Sequence, residues 1–176
     1  MVKKNACIFI SGNGSNLKNL ILSSRSSNFP IKISLVVCNN KNANGIIYAK
    51  KYSIPYIFIN TNFKNHENKI FYYLKKYKIS FICLAGYMKI VSNKLIKKYQ
   101  RKIINIHPSL LPKFKGLNTF ARMLKNKEIK AGCTVHYVSE KLDSGITIVQ
   151  KKFFINKKND EKVLKNKTQK LEYLAF

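Results

Sequence analysis

Acidic residues are the scarcest class in this 176-residue chain: 7 Asp plus Glu stand against 34 Lys plus Arg, a formal net charge of +27. Only two of the seven are aspartates, Asp143 and Asp160. Arginine is nearly as rare, at Arg25, Arg101 and Arg122 alone. That scarcity argues against a surface selected to grip nucleic acid, which uses Arg for bidentate phosphate and guanine contacts. No apolar run reaches the roughly 18 residues that a spanning helix needs, and Met1 leads through two lysines into a short strand-like run without a small-residue cleavage site. A cytoplasmic protein with no membrane partner is expected. The four cysteines, Cys7, Cys38, Cys83 and Cys133, lie more than thirty residues apart and beside apolar runs. Without CxxC spacing they read as buried free thiols, not as a metal site or a disulfide framework. No GxxxxGK[ST] or GxGxxG occurs, so neither a nucleoside triphosphate nor a dinucleotide is implied.

What is abundant is Lys, Asn and Ile, 73 of the 176 positions. All three have codons rich in A and T, so nucleotide bias accounts for the charge better than an evolved basic surface does. The hydrophobic fraction of 45% suffices for one core, and no linker or internal repeat interrupts the chain.

Strand and helix signals alternate along it. Ala6 to Ile10 is a β-branched and aromatic run, and Leu17, Leu20 and Ile21 then fall at helical spacing. Strands follow at 31–37, 55–60 and 80–86, with helical stretches at 45–52 and 67–78, the latter carrying Ile70, Tyr73, Leu74 and Tyr77 on one face. A basic helix over 92–100 leads to a fifth strand, 102–107. After it come a Pro-bounded loop, a helix at 119–126, two strands at 131–138 and 146–155, and a lysine-rich helix from Asp160. Repeated βα units ending in a hairpin-like pair predict an α/β fold: a Rossmann-like open, mostly parallel sheet with helices on both faces and an antiparallel C-terminal extension.

Ligands in such folds sit beyond the carboxyl ends of the strands. The first strand exits into Ser11-Gly12-Asn13-Gly14-Ser15-Asn16, where two glycines allow a tight turn and the next helix offers its N–H groups and positive dipole end. This is the outline of a phosphate cradle, although the same residue types also build ordinary βα turns. The fifth strand ends in Asn105-Ile106-His107-Pro108. Residues two apart share a face, so Asn105 and His107 project together, an amide beside an imidazole able to hold a carbonyl and manage protons near neutral pH. Asp143, in the turn Leu142-Asp143-Ser144-Gly145, either satisfies backbone N–H groups or supports His107 as its carboxylate partner. His136 shares a strand face with Thr134 and reads equally as structural or as a site residue.

SGNGSNL at 11–17, LAGYMKIV at 84–91, NIHPSLLPKFKG at 105–116 and LDSG at 142–145, all in order, resemble the phosphoribosylglycinamide formyltransferases, folate-dependent enzymes of purine synthesis. The resemblance implies a single domain over 1–176, with a phosphate-binding βα half at 1–100 and a catalytic and folate-binding half at 101–176, shortened at its C-terminal end. It implies small-molecule substrates: 10-formyltetrahydrofolate as co-substrate and the ribonucleotide phosphoribosylglycinamide as acceptor. No metal, nucleic-acid or membrane partner is implied, and the expected state is a monomer or weak homodimer. Carried over by position, Gly14, Ser15 and Asn16 match the phosphate-binding turn. Met88, Lys89, Ile90 and Val91 match the folate-lining segment, with Asn105 contributing and His66 or a neighbouring lysine standing where the family has a folate-reaching Arg. Asn105, His107 and Asp143 match the catalytic trio. In the implied reaction Asn105 and protonated His107 hold a tetrahedral oxyanion while Asp143 raises the His107 pKa. The chain departs from the family pattern at Asn118 and Phe120, after PKFKGL, and at Lys170 in the last helix. Two other superfamily activities, methionyl-tRNA formyltransferase and formyltetrahydrofolate hydrolase, and a non-enzymatic basic RNA-binding protein are the alternatives. SGNGSNL speaks against the first two, and aromatics that mostly sit inside apolar runs against the third.

Overall fold

A computed structural model describes residues 2–156 and 158–176. It contains two compact units, one up to Ile90 and one from Val91 to Phe176.

The first unit is built of βα repeats: β1 (Lys4–Ile10), α1 (Ser15–Ser24), β2 (Ile31–Cys38), α2 (Ile46–Lys51), β3 (Tyr56–Phe58), α3 (His66–Lys76) and β4 (Phe81–Leu84). Its strands run in the order β3-β2-β1-β4, and all three pairings are parallel. Strand β1 is apolar over Ala6–Ile10 because it is central: these five residues are at most 1% exposed. A continuous apolar run of this kind marks a parallel strand covered on both faces. Full burial of side chains such as Ile8 and Phe9 is worth about 1.5–3 kcal/mol each. On α3 the predicted face holds, with Ile70 and Leu74 buried and the Tyr73 and Tyr77 rings stacked 6.5 Å apart at its margin.

The second unit is organised differently. It comprises α4 (Asn93–Lys98), β5 (Ile103–His107), α5 (Thr119–Lys125), β6 (Lys130–Tyr137), β7 (Thr147–Phe154) and α6 (Glu161–Ala175). Strands β5, β6 and β7 pair antiparallel in chain order. The Asp160 side chain accepts from the Val163 N–H and caps α6, which packs against β6. Leu171, Ala175 and Phe176 close over Ile106, Cys133 and Val135, while Leu164 joins Met123 and Ala131 in a second cluster that Phe114 and Phe120 flank. Parallel βα units followed by an antiparallel extension are the α/β architecture expected, and each predicted strand and helix falls within about two residues of its element. All four cysteines are free and buried. Burial pushes the Cys7 thiol well up, and that of Cys83 to about 12, so neither is a reactive thiolate. Among the described residues no helix is long and apolar enough to cross a membrane.

Candidate active site

The turn after β1 is shaped by what its residues lack. Gly14, φ +69°, sits at the N-cap of α1 in the left-handed region, and a Cβ there would lie 2.5 Å from the Gly45 Cα. Gly45 is equally confined, since its own Cβ would meet the Ile10 side chain at 2.8 Å and the Gly14 Cα at 2.9 Å. The two backbones touch because neither residue has a side chain, and the Gly45 N–H donates to the Gly12 carbonyl at 3.0 Å. Gly14, at the N-cap, has no side chain with which to cap α1. The start of the helix carries the positive dipole end, which favours an anion. Asn16 is buried and Leu17 fully so, which anchors the helix start in the core.

Beside this turn runs the predicted folate-lining segment. Ser11 Oγ accepts the Met88 N–H at 2.8 Å, while the Met88 and Ile90 side chains are 67% and 83% exposed and Lys89 is exposed. Val91, the first residue of the second unit, is buried. The His66 ring is engaged locally, with its Nδ1 2.7 Å from the Phe63 carbonyl, one turn back.

The antiparallel register of β5 and β6 sets Asn105 opposite His136 and His107 opposite Thr134. A register shift between Val135 and His136 in the β6–β7 pairing falls beside the cluster, where an irregularity re-aims side chains. Asp143 arrives from the turn after β6, itself at φ +45°. Gly145 follows in close passage, since a Cβ on it would fall 1.7 Å from the Tyr137 carbonyl oxygen. Asp143 Oδ2 lies 3.3 Å from His107 Nδ1 and accepts the Gly116 N–H at 2.8 Å. Its Oδ1 faces Asn105 Nδ2 at 3.5 Å and His136 Nε2 at 3.7 Å, and Asn105 Nδ2 is 3.2 Å from His136 Nε2. The predicted trio thus converges within the second unit, and His107, His136 and Asp143 are all buried.

One participant is not legible in the sequence, and a second is left open by it. The Phe114 carbonyl lies 2.9 Å from His107 Nε2, and His136, open between two readings, stands inside the cluster with its Nδ1 2.9 Å from the Tyr137 carbonyl. A backbone carbonyl carries no signature in sequence. The shared face of Thr134 and His136 is the available signal for the histidine.

The electrostatics are a balance. Both His107 nitrogens face acceptors, an arrangement that only the doubly protonated ring fully satisfies. Burial opposes it and prevails: it pulls the His107 pKa below its ordinary 6.5, against the Phe114 carbonyl and Asp143, which push upward. Asp143 does act in the expected upward direction, but the loss of solvent is larger. For Asp143 itself burial pushes upward, yet His136, the Gly116 N–H and His107 together hold the carboxyl below its ordinary 3.8.

The positions outside the family pattern are structural or peripheral. Asn118 takes φ +56° ahead of α5, Phe120 packs toward Met123 and Leu164, and Lys170 is exposed on α6. Among the described residues, no group of three or more His, Cys, Asp or Glu is placed to hold a metal.

Comparison with known proteins gives the same direction. The formyl transferase family profile matches residues 4–176. The phosphoribosylglycinamide formyltransferase of Haemophilus influenzae is 38% identical over 98% of this chain and 84% of its own length. The human trifunctional purine biosynthetic protein adenosine-3 is 35% identical over 99% of this chain, which spans 18% of that larger protein. The crystal structure of the Bacillus halodurans phosphoribosylglycinamide formyltransferase superposes with a TM-score of 0.94 at 31% identity, covering 98% of this chain and 91% of that one. That from Anaplasma phagocytophilum gives 0.91 at 35% identity, covering 98% and 83%. With that profile match spanning both units, the chain belongs to the formyl transferase family.

Proposed function

We propose that the two units work as one formyltransferase domain that moves the formyl group of 10-formyltetrahydrofolate to the amine of N1-(5-phospho-D-ribosyl)glycinamide, a step of purine synthesis. The observation that carries this reading is the convergence of Asn105 and His107, from the end of β5, with Asp143, from a turn 36 residues further on. The amine attacks the formyl carbon, a C–N bond forms, and the carbonyl pair moves onto oxygen. An N–H of Asn105, exchanging its 3.5 Å contact with Asp143, and the Nε2–H of His107, exchanging the Phe114 carbonyl, donate to that oxyanion while Asp143 keeps Nδ1. The C–N bond to the folate then breaks, its electron pair stays on the folate nitrogen, and His107 relays to that nitrogen the proton that the amine gives up. Negative charge developing on the substrate offsets the burial that lowers the His107 pKa at rest, and Asp143 keeps the ring oriented. Tetrahydrofolate leaves as a second product.

Gly14, Ser15 and Asn16 bind the ribonucleotide phosphate. Met88, Lys89, Ile90 and Val91, with Asn105, line the folate, and Lys89 steers its anionic tail. His66 contributes at the edge of that pocket. The protein acts as a cytoplasmic monomer or weak homodimer on small molecules, and its +27 charge reflects codon bias.

The test is to follow loss of the formyl group from 10-formyltetrahydrofolate with phosphoribosylglycinamide, with no acceptor, and with methionyl-tRNA. Transfer is expected with the first alone. Transfer to tRNA only, or hydrolysis without an acceptor, overturns the reading.

A further inference from the structure

Ser11 stands at the exit of β1 and reaches the exits of both neighbouring strands. Its hydroxyl donates to Asn39 Oδ1 at 2.6 Å, beyond β2, and accepts the Met88 N–H at 2.8 Å, beyond β4. Its backbone N–H donates to the Gly86 carbonyl at 3.2 Å, and its own carbonyl accepts from Asn40 Nδ2 at 3.0 Å. All of these groups belong to the first unit. The side chain is 8% exposed and both hydrogen-bonding functions of its hydroxyl are in use, so it cannot turn toward a ligand. Past it the chain is held very differently. Gly12 has open space around it, Gly86 turns at φ +75°, and Met88 and Ile90 project into solvent.

We propose that Ser11 is a positioning residue that couples the two substrate sites, making occupation of the Gly14–Asn16 turn favour folate binding at Met88–Ile90. The inference rests on the proposed function for the ligands of the two segments. Ser11 immediately precedes the turn and its hydroxyl is already bonded to Met88, so a shift of the turn as it closes on a phosphate is passed directly to the Met88 N–H. The folate then meets a segment that is already ordered and loses less freedom on binding. Coupling of this kind is reciprocal, so folate tightens the ribonucleotide by the same factor.

Tetrahydrofolate and phosphoribosylglycinamide do not react with each other, so their Kd values can be measured singly and together by calorimetry on the whole chain. In the wild-type protein, saturating ribonucleotide is expected to tighten tetrahydrofolate by about five-fold or more. Ser11→Ala brings that ratio close to one and raises the KM for 10-formyltetrahydrofolate by about ten-fold, more than it lowers kcat. Ser11→Thr, which keeps the hydroxyl, restores the ratio. A purely structural role would lower stability and weaken both ligands while leaving the ratio intact. Should Ser11→Ala fail to fold, Asn39→Ala removes the partner that orients the hydroxyl and is expected to lower the same ratio. A wild-type ratio of one, or variants that retain the wild-type ratio, overturns the coupling alone. Failure of the wild-type protein to bind either ligand overturns the proposed function and the coupling with it.

Discussion

The turn after β1 and the cluster at the end of β5 are built on opposite principles. The first is shaped by side chains that are missing: Gly14 and Gly45 bring two backbones into contact at the start of α1. The second is shaped by side chains that crowd together, two histidines, a carboxylate and an amide in a largely buried space. An anion that stays charged needs fixed dipoles, which backbone provides wherever the chain can turn tightly. A proton that must move needs groups whose charge changes, and those need partners because burial is costly.

Substitutions should separate the two. The largest effect is expected from His107→Ala and Asn105→Ala, each lowering kcat by about 10²–10³-fold through a lost oxyanion donor while circular dichroism stays near that of the parent. Near-normal turnover in both would break the comparison, since the crowded cluster would then be structural too. Gly14→Ala should act through binding and stability. Its Cβ meets the Gly45 backbone at 2.5 Å and its φ is +69°, so unfolding by urea is expected to show a loss of at least about 1–2 kcal/mol, with a raised KM for the ribonucleotide. Gly12→Ala, with nothing within 4 Å, is the matched control and should cost far less.

Acid sharpens the contrast further. The His107 pKa lies below 6.5 because burial disfavours the charged ring, so the unfolded chain binds the proton first. That contribution to stability is complete above about pH 6.5 and is lost as pH falls from there through the folded value. Asp143, also lowered, contributes above 3.8 and loses its share as pH falls through its depressed folded value. Both slopes have the same sign, so urea midpoints at pH 8, 6 and 4 should fall toward acid, and His107→Gln should flatten the upper part of that fall. A stability that rises between pH 6.5 and 5 would contradict the burial argument. The smallest effect belongs to local capping: Asp160→Ala should remove about 1 kcal/mol by freeing the Val163 N–H at the start of α6. Lys97→Ala, which breaks an exposed pair with Glu140 at 3.9 Å, should stay below that, within about 0–1 kcal/mol in the same unfolding assay.

Legibility in the sequence follows the same division. Strand β1 and helix α3 are readable because burial imposes a local apolar pattern, and the turn after β1 because two glycines stand between a strand and a helix. The pairing of Asn105 with His107 follows from strand alternation. Their link to Asp143 is one of two open readings of the residues, and the motif resemblance favours it. The direction of the His107 shift departs from expectation in one respect: the carboxylate's pull is as expected, whereas the burial that exceeds it depends on the packing of elements far apart in sequence.

Residue order by itself determined the succession of βα units, the glycine turn, the same-face placement of Asn105 and His107, and the buried thiols, because each depends on neighbours within a few positions. Only the tertiary structure decided that His136 stands opposite Asn105, that the Phe114 carbonyl meets His107, and that Ser11 ties the ends of three strands. Strand register, backbone carbonyl direction and solvent exclusion are properties of chain segments brought together from a distance, and no local pattern encodes them.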